Sequence, residues 1–386
     1  MTKAGLTAAI VVAVAAWLSH PPARGTPYTQ LIVFGDSLSD TGNLDQGGLI
    51  GQLIAAFANV GPTGTFSNGP VWHDYLADGL GLPRAQPSLE GGDNYAFGGA
   101  ETDRGGAIEG FWADLLLGQQ TGIEEQVEIF IDSLSPEGAD PDALYILWGG
   151  GNDMRGETDP AGAAPAVDHL AAHVRSLVAV GARTLLVPNL PNLGRTPEVL
   201  QQGSEAVQLA EAVTLAFNGD LAVTMADLAA ELPLDLFFLD VFAAVEDVVA
   251  DPEAFGFTNV TDACPDPDSA CPGYLFWDDI HPTTAGHEAL GQRALALLTT
   301  APAPGDVNGD GRVDGLDVEP FVDILLSGVF DPAADVNGDG RVNGLDVDPF
   351  VTLVVGPGAE TVPEPSTLVP AMLGLLGLLL HRRRHR

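Results

Sequence analysis

Positive charge is what this sequence most lacks. Fifteen Lys and Arg face 53 Asp and Glu, the formal net charge is −38, and Lys3 is the single lysine. A chain so acidic has no basic face with which to neutralise a phosphate backbone, so nucleic acid is excluded as a partner. The same charge keeps a protein soluble and repels anionic surfaces, and bound divalent cations would offset part of it. Cysteine is nearly absent too. Cys264 and Cys271 either form a disulfide, as an oxidising compartment favours, or stand as free thiols; if bridged, they close a small loop just ahead of Asp278. Long hydrophobic runs are also missing. The apolar stretches Ala8 to Leu18 and Thr367 to Leu380 both fall short of the roughly 20 residues that cross a bilayer comfortably. With 386 residues and 46% hydrophobic composition the chain can nevertheless bury one large core with appendages.

The termini read as addresses. Lys3, the apolar run to Leu18 and the small residues and prolines before Thr26 form an export signal over residues 1–25. At the other end Val362-Pro363-Glu364-Pro365-Ser366 leads into the second apolar stretch, then into an arginine cluster that orients this end toward the cytoplasm. Residues 362–386 resemble the PEP-CTERM sorting signal of bacteria. The resemblance implies processing by an exosortase-type enzyme, loss of the tail, and delivery to the envelope or exterior after transient anchoring; a plain membrane anchor is the alternative.

An internal repeat occupies residues 305–357. Asp306, Asn308, Asp310, Asp314 and Asp317 recur 29 positions later as Asp335, Asn337, Asp339, Asn343 and Asp346. They fall at positions 1, 3, 5, 9 and 12 of a loop with glycine at 6, the oxygen pattern of an EF-hand-type calcium loop. Arg312 and Arg341, at position 7, would contribute backbone carbonyls. Position 12 is Asp rather than Glu, and no helix precedes either loop. Each loop is instead followed by one apolar segment, Val318 to Leu326 and Val347 to Val355, which predicts a small all-α module. Loop plus helix, given twice, resembles a dockerin, and the resemblance implies structural Ca2+ and a cohesin-like protein partner. Residues 301–304, Ala-Pro-Ala-Pro, read as an extended linker.

Residues 27–300 alternate short apolar runs with amphipathic segments. Leu31 to Phe34, Ala143 to Trp148, Thr184 to Val187 and Leu236 to Val241 have the pattern of buried parallel strands. Helical periodicity covers Ile123 to Leu134, Asp168 to Val180, Glu205 to Leu232 and Thr284 to Leu298. This order predicts an α/β fold, an open sheet with helices on both faces, whose functional crevice lies outside the carboxyl ends of the strands. Ser37 follows the first strand and Asn152 follows the second, so both open onto that crevice.

Four segments then carry chemistry. Gly35-Asp36-Ser37-Leu38 offers a serine hydroxyl, and Trp277-Asp278-Asp279-Ile280-His281 offers a base with a carboxylate three residues before it. A serine near neutral pH needs both to become a nucleophile. Asn94 to Ala100 supplies a glycine turn whose N–H groups can face an anion, and Gly150-Gly151-Asn152-Asp153 an amide side chain at a strand end. Together these segments resemble the GDSL, or SGNH, family of lipases and esterases, in particular its lecithinase-like and thermolabile-hemolysin-like bacterial members, over roughly residues 28–298. The resemblance implies a flavodoxin-like three-layer α/β/α fold and no cofactor at the catalytic site. It casts Ser37 as nucleophile, His281 as general base and then acid, and Asp278 as its orienting carboxylate. The Ser37 and Gly99 N–H groups with the Asn152 side chain become the oxyanion hole, with Gly98 as the alternative donor.

Other candidates have plainer readings. Asp279 is a second possible triad acid. His73 reads as a helix-surface residue or a cleft residue, His287 as structural, and Asp153 as a brace for its loop. His169 and His173 share a helical face and read as solvated, since two histidines without a third ligand make a poor metal site. The acyl pocket is expected from loops such as Gly47 to Phe66 and Ala107 to Thr121. The resulting expectation is an exported serine esterase or lipase; a polysaccharide O-acetyl esterase and an inactive envelope scaffold are the rival readings.

Overall fold

The computed structural model describes residues 28–46, 60–61, 63–106, 121–266, 270–299, 303–307, 312–327, 331, 333–338 and 341–355. Residues 1–25, expected as an export signal, residues 362–386, expected as a sorting segment, residues 301–302 of the expected linker and the loop positions Asn308, Asp310 and Asp339 lie outside the described residues.

Four five-residue strands form the sheet: β1 (Leu31–Gly35), β2 (Leu144–Trp148), β3 (Thr184–Pro188) and β4 (Asp235–Leu239), paired in that order and all parallel. A further segment runs along the free edge of β1. Val33 N–H donates to Asp93 O, Tyr95 N–H to Val33 O and Phe97 N–H to Gly35 O. Since this segment comes second along the chain, the spatial order is second, first, third, fourth, fifth, that of a flavodoxin-like sheet.

The strands are apolar on both faces, which is why their sequences run without alternation. Ile32, Phe34, Tyr145, Leu147, Leu185 and Val187 enter one core cluster; Leu31, Val33, Leu144, Ile146 and Leu186 enter another on the opposite face. The first face is covered by α3 (Ile123–Ser133), α5 (Ala163–Val180) and α7 (Ser204–Glu231). The second is covered by α2 (Trp72–Leu80), α8 (Val241–Ala250) and α9 (Thr284–Thr299). Short helices α1 (Asn43–Gln46), α4 (Gly151–Met154) and α6 (Pro197–Leu200) sit on the connections. A separate parallel pair, β5 (Asn259–Ala263) and β6 (Tyr274–Phe276), lies just before the Asp278 loop, and the Cys264–Cys271 disulfide closes its connection. This pair, and α8, have no counterpart in the elements expected from periodicity.

Exposed arginines staple the periphery. Arg84 pairs with Asp78, Arg104 with Glu124, Glu125 and Glu128, Arg155 with Glu198, Arg175 with Glu231, and Arg195 with Glu246. The calcium-loop repeat builds its own small core, in which Phe321 of α10 (Val318–Ser327) stacks on Phe350 of α11 (Val347–Val355), ring centroids 4.0 Å apart. Arg312 reaches from it to Asp240 and Asp247, at 3.8 and 3.5 Å.

Helices α2 and α9 approach closely because Gly291 faces Trp72: a Cβ there would meet the Trp72 carbonyl oxygen at 2.5 Å. His287, on α9, is fully buried, and among the described residues neither ring nitrogen has a hydrogen-bond partner. Burial, then the charges of His281 and His73, lower its pKa to about 3. The unfolded chain takes up a proton near pH 6.5 that the folded chain refuses until about pH 3. Stability attributable to this group is therefore complete above about pH 6.5 and is lost as pH falls toward 3. His287→Leu should unfold no more easily than the parent at pH 7 and should lose less stability between pH 6.5 and 4, as urea titrations at the two pH values will show.

Candidate active site

The turn leaving β1 is wound tightly enough to present one side chain to the crevice. Ser39 and Asp40 N–H groups both donate to Asp36 O at 3.0 Å, and Leu38 N–H donates to Asp36 Oδ1 at 3.0 Å. Beneath it Gln126 accepts from Gly35 N–H and donates to Gly35 O, each at 2.9 Å, so the end of β1 is clamped by α3. Asp40 is fully buried and its carboxylate collects four N–H groups: those of Gly42 and Asn43 at Oδ1, and those of Leu44 and Gly98 at Oδ2. Burial lifts the neighbouring Asp36 carboxyl to about 6, against the Leu38 N–H and the charge of His281. Asp36 thus changes charge close to neutrality beside Ser37.

Across the crevice, the loop after β6 folds on its own carboxylate. Asp278 Oδ1 accepts the N–H groups of Ile280 (2.9 Å) and His281 (2.7 Å), while Oδ2 lies 2.8 Å from His281 Nδ1. His281 Nε2 lies 2.9 Å from Ser37 Oγ. Burial pushes the Asp278 carboxyl up, but its hydrogen bonds with His281 and Ile280 and the His281 charge outweigh that and hold it at about 2. An ionised carboxylate only accepts, so the imidazole carries its proton on Nδ1 and turns the Nε2 lone pair to the serine hydroxyl. Phe66 packs against the ring at 5.1 Å between centroids and would collide with any side chain at Gly98.

The glycine turn supplies the third part. From Gly98 to Thr102 every N–H but one has an acceptor: Gly98 donates to Asp40, Ala100 to Phe97 O, Glu101 to Gly105 O and Thr102 to Asp153. Gly99, held at φ 78°, donates to no described group, and neither does the Ser37 N–H. Gly98, the alternative oxyanion donor, is therefore already engaged. Asn152 spends one amide hydrogen on Ala100 O at 2.8 Å and keeps the second, an amide nitrogen having two.

Ser37, Asn152 and His281 open on a cavity of about 600 Å³ whose walls include Leu190, Leu193, Val199, Val245, Phe276 and Leu290. Among the described residues its walls come from β6, from the connections after β3 and α4, and from α4, α6, α7, α8 and α9; residues 47–59 and 107–120, most of the loops expected to line an acyl pocket, lie outside the described residues.

Several side chains stand elsewhere than their sequence suggested. Asp279 accepts from Gln201 Nε2 at 3.1 Å and does not reach His281. His73 is no surface residue: it is fully buried, with Nε2 2.9 Å from Ser39 O, because α2 packs its polar face under the Ser37 turn. His173 is likewise buried rather than solvated and, with His169, contacts Thr102. Nothing in the sequence near Asp40, Gln126 and Thr102 marks them; a long-range partner is what gives each its part. In the repeat, Asp306, Asp317, Asp335 and Asp346 are buried carboxylates, and Asp317 and Asp346 each accept two N–H groups of their own loop. Buried hard oxygens closing a short loop suit calcium. Among the described residues no three acidic, histidine or cysteine side chains converge on one point, Asp310 and Asp339 lying outside them.

Asp40→Ala would strand four N–H groups, most of them buried, and should cost about 3 kcal/mol or more of stability by denaturant unfolding, with Asp40→Asn intermediate.

Residues 31–294 match the GDSL-like lipase/acylhydrolase family, residues 304–348 the dockerin type I domain, and residues 361–384 the PEP-CTERM protein-sorting motif. An uncharacterised Pseudomonas putida protein from the trpE-trpG intergenic region is 30% identical over 339 residues, 78% of this chain and 53% of that protein. Esterase EstA of Pseudomonas aeruginosa is 29% identical over 321 residues, 72% and 48% of the two chains. Thermolabile hemolysin of Vibrio parahaemolyticus is 28% identical over 301 residues, 72% and 66%. The chain thus spans about half the length of the two Pseudomonas proteins. With its sheet, its crevice and a family match that spans residues 31–294, more than half of its length, the chain belongs to the GDSL-like lipases and acylhydrolases.

Proposed function

We propose that the protein is an exported serine esterase that cleaves carboxylic esters with an apolar acyl group. The observation that carries this reading is the continuous hydrogen-bonded relay from Asp278 through His281 to Ser37, opening on an apolar cavity. As Ser37 Oγ attacks the ester carbonyl, His281 Nε2 takes its proton, and Asp278 steadies the resulting imidazolium. The carbonyl oxygen becomes an oxyanion that receives the N–H groups of Ser37 and Gly99 and the second amide hydrogen of Asn152. Collapse expels the alcohol, which takes the proton from His281. Water, activated by the same base, then frees Ser37 from its acyl group. The apolar walls favour acyl chains longer than acetyl, which sets this reading above a polysaccharide O-acetyl esterase.

The dockerin-like repeat would hold one calcium in each loop, through Asp306, Asn308, Asp310, the Arg312 carbonyl, Asp314 and Asp317, and through Asp335, Asn337, Asp339, the Arg341 carbonyl, Asn343 and Asp346. The ion's role there is to fold the loops, with a cohesin-like protein as the fitting partner. The C-terminal segment supports export, exosortase-type processing and residence at the envelope or outside it.

Hydrolysis of p-nitrophenyl butyrate should vanish in Ser37→Ala and persist in chelator, since the relay contains no metal ligand from the repeat. Retained activity in Ser37→Ala would overturn the assignment. Asn152→Ala should lower kcat about 10²- to 10³-fold with little change in KM, because its donor acts on the oxyanion rather than on the bound ester. Steady-state kinetics with an unchanged kcat would remove Asn152 from the oxyanion hole.

A further inference from the structure

The loop that follows the glycine turn is gripped more firmly than a surface connection needs. Thr102 is fully buried. Its N–H lies 3.1 Å from both Asp153 oxygens, its hydroxyl donates to Asp153 Oδ1 at 2.6 Å, and its carbonyl lies 2.7 Å from His173 Nε2. A carbonyl only accepts, so His173 carries its proton on Nε2. Burial lowers the pKa of His173 and favours that neutral form. The Thr102 hydroxyl has one hydrogen, already given to Asp153, so His169 Nδ1, 3.1 Å away, is the donor in its contact with that oxygen. One residue before Asp153, Asn152 holds Ala100 O. Adjacent side chains of α4 therefore seize residues 100 and 102, α5 seizes residue 102 from its other side, and Asp40 seizes residue 98. The free N–H of Gly99 lies between these anchors.

We propose that Asp153, Thr102 and His173, with His169 in support, are positioning residues that set where the Gly99 N–H and the free Asn152 hydrogen point. The proposal rests on the ester-cleaving reading above. None of the four is needed to touch the ester; they act through the two donors. Oxyanion donors work only within a narrow distance of the developing charge, and a displacement near 1 Å costs on the order of 10²-fold in rate. A clamp made of short bonds to a buried loop meets that tolerance, which a free surface loop does not. Asp153 also shares its backbone with Asn152, so any shift of the clamp moves the amide and the glycine together.

The test is a double-mutant cycle in the full-length protein with p-nitrophenyl butyrate as substrate and a butylboronic acid as oxyanion-mimicking inhibitor. His173→Leu should lower kcat at least tenfold, shift KM less than threefold and weaken the boronate in proportion to kcat. His173→Gln, which keeps a donor within reach of Thr102 O, should recover most of both. In an Asn152→Ala background, His173→Leu should cost less than threefold, because part of what it positions is gone. Full kcat in a folded His173→Leu protein, or the same fold-loss in both backgrounds, would overturn the proposal and leave the esterase reading intact. If His173→Leu does not fold, Thr102→Val, which removes only the hydroxyl, carries the same cycle. Absence of Ser37-dependent hydrolysis in the parent would overturn both.

Discussion

A buried carboxylate holds the two halves of the crevice in register. Asp40 lies three residues beyond Ser37, accepts through one oxygen from Gly42 and Asn43 at the start of α1, and through the other from Leu44 and from the Gly98 N–H 58 residues away. Burial raises its pKa to about 6, and the four N–H groups that fill its lone pairs oppose that rise. The cost of its burial is thereby turned into specificity. Any sliding of the glycine turn against the Ser37 turn would break the bond from Gly98 N–H to Asp40, so the distance between Ser37 and Gly99 is not left to side-chain packing.

The strands and longer helices were legible because each answers a local demand. Continuous apolar runs such as Leu144 to Trp148 suit only a strand covered on both faces, and Val347 to Val355 suits only a helix with a neighbour. Asp278 and His281 were legible for a similar reason, since three residues of one loop suffice to join them. What escaped notice depends on contacts far along the chain. Nothing near Gly98 tells that its N–H is spoken for by Asp40. Nothing near His73 or His173 distinguishes a polar residue facing solvent from one facing a buried carbonyl, until the Ser39 and Thr102 loops are laid beneath them. The cavity walls converge from several helices, a strand and their connections, and periodicity carries no trace of that convergence.

The sheet explains why chemistry gathers at one edge. All four strands run the same way, so their carboxyl ends share a rim, and the chain leaves that rim by turns. Ser37 and Asn152 occupy two such exits. His281 arrives from elsewhere, on a loop that follows the small β5–β6 pair and its disulfide-closed connection. On the proposed reading the labour divides, with attack and charge stabilisation at the sheet rim and proton transfer on the loop after the disulfide-closed pair.

The arginine staples have an environmental consequence. Each is an exposed or half-exposed pair, of the kind worth at most about 1 kcal/mol, and salt weakens it only slightly in absolute terms. The uncompensated acidic groups behave oppositely, because a net charge of −38 repels itself throughout the molecule, and at 0.1 M ionic strength that repulsion is cut off beyond about 10 Å. The second effect involves far more charges than the first. Raising the ionic strength therefore shortens the reach of this self-repulsion while costing the exposed pairs little.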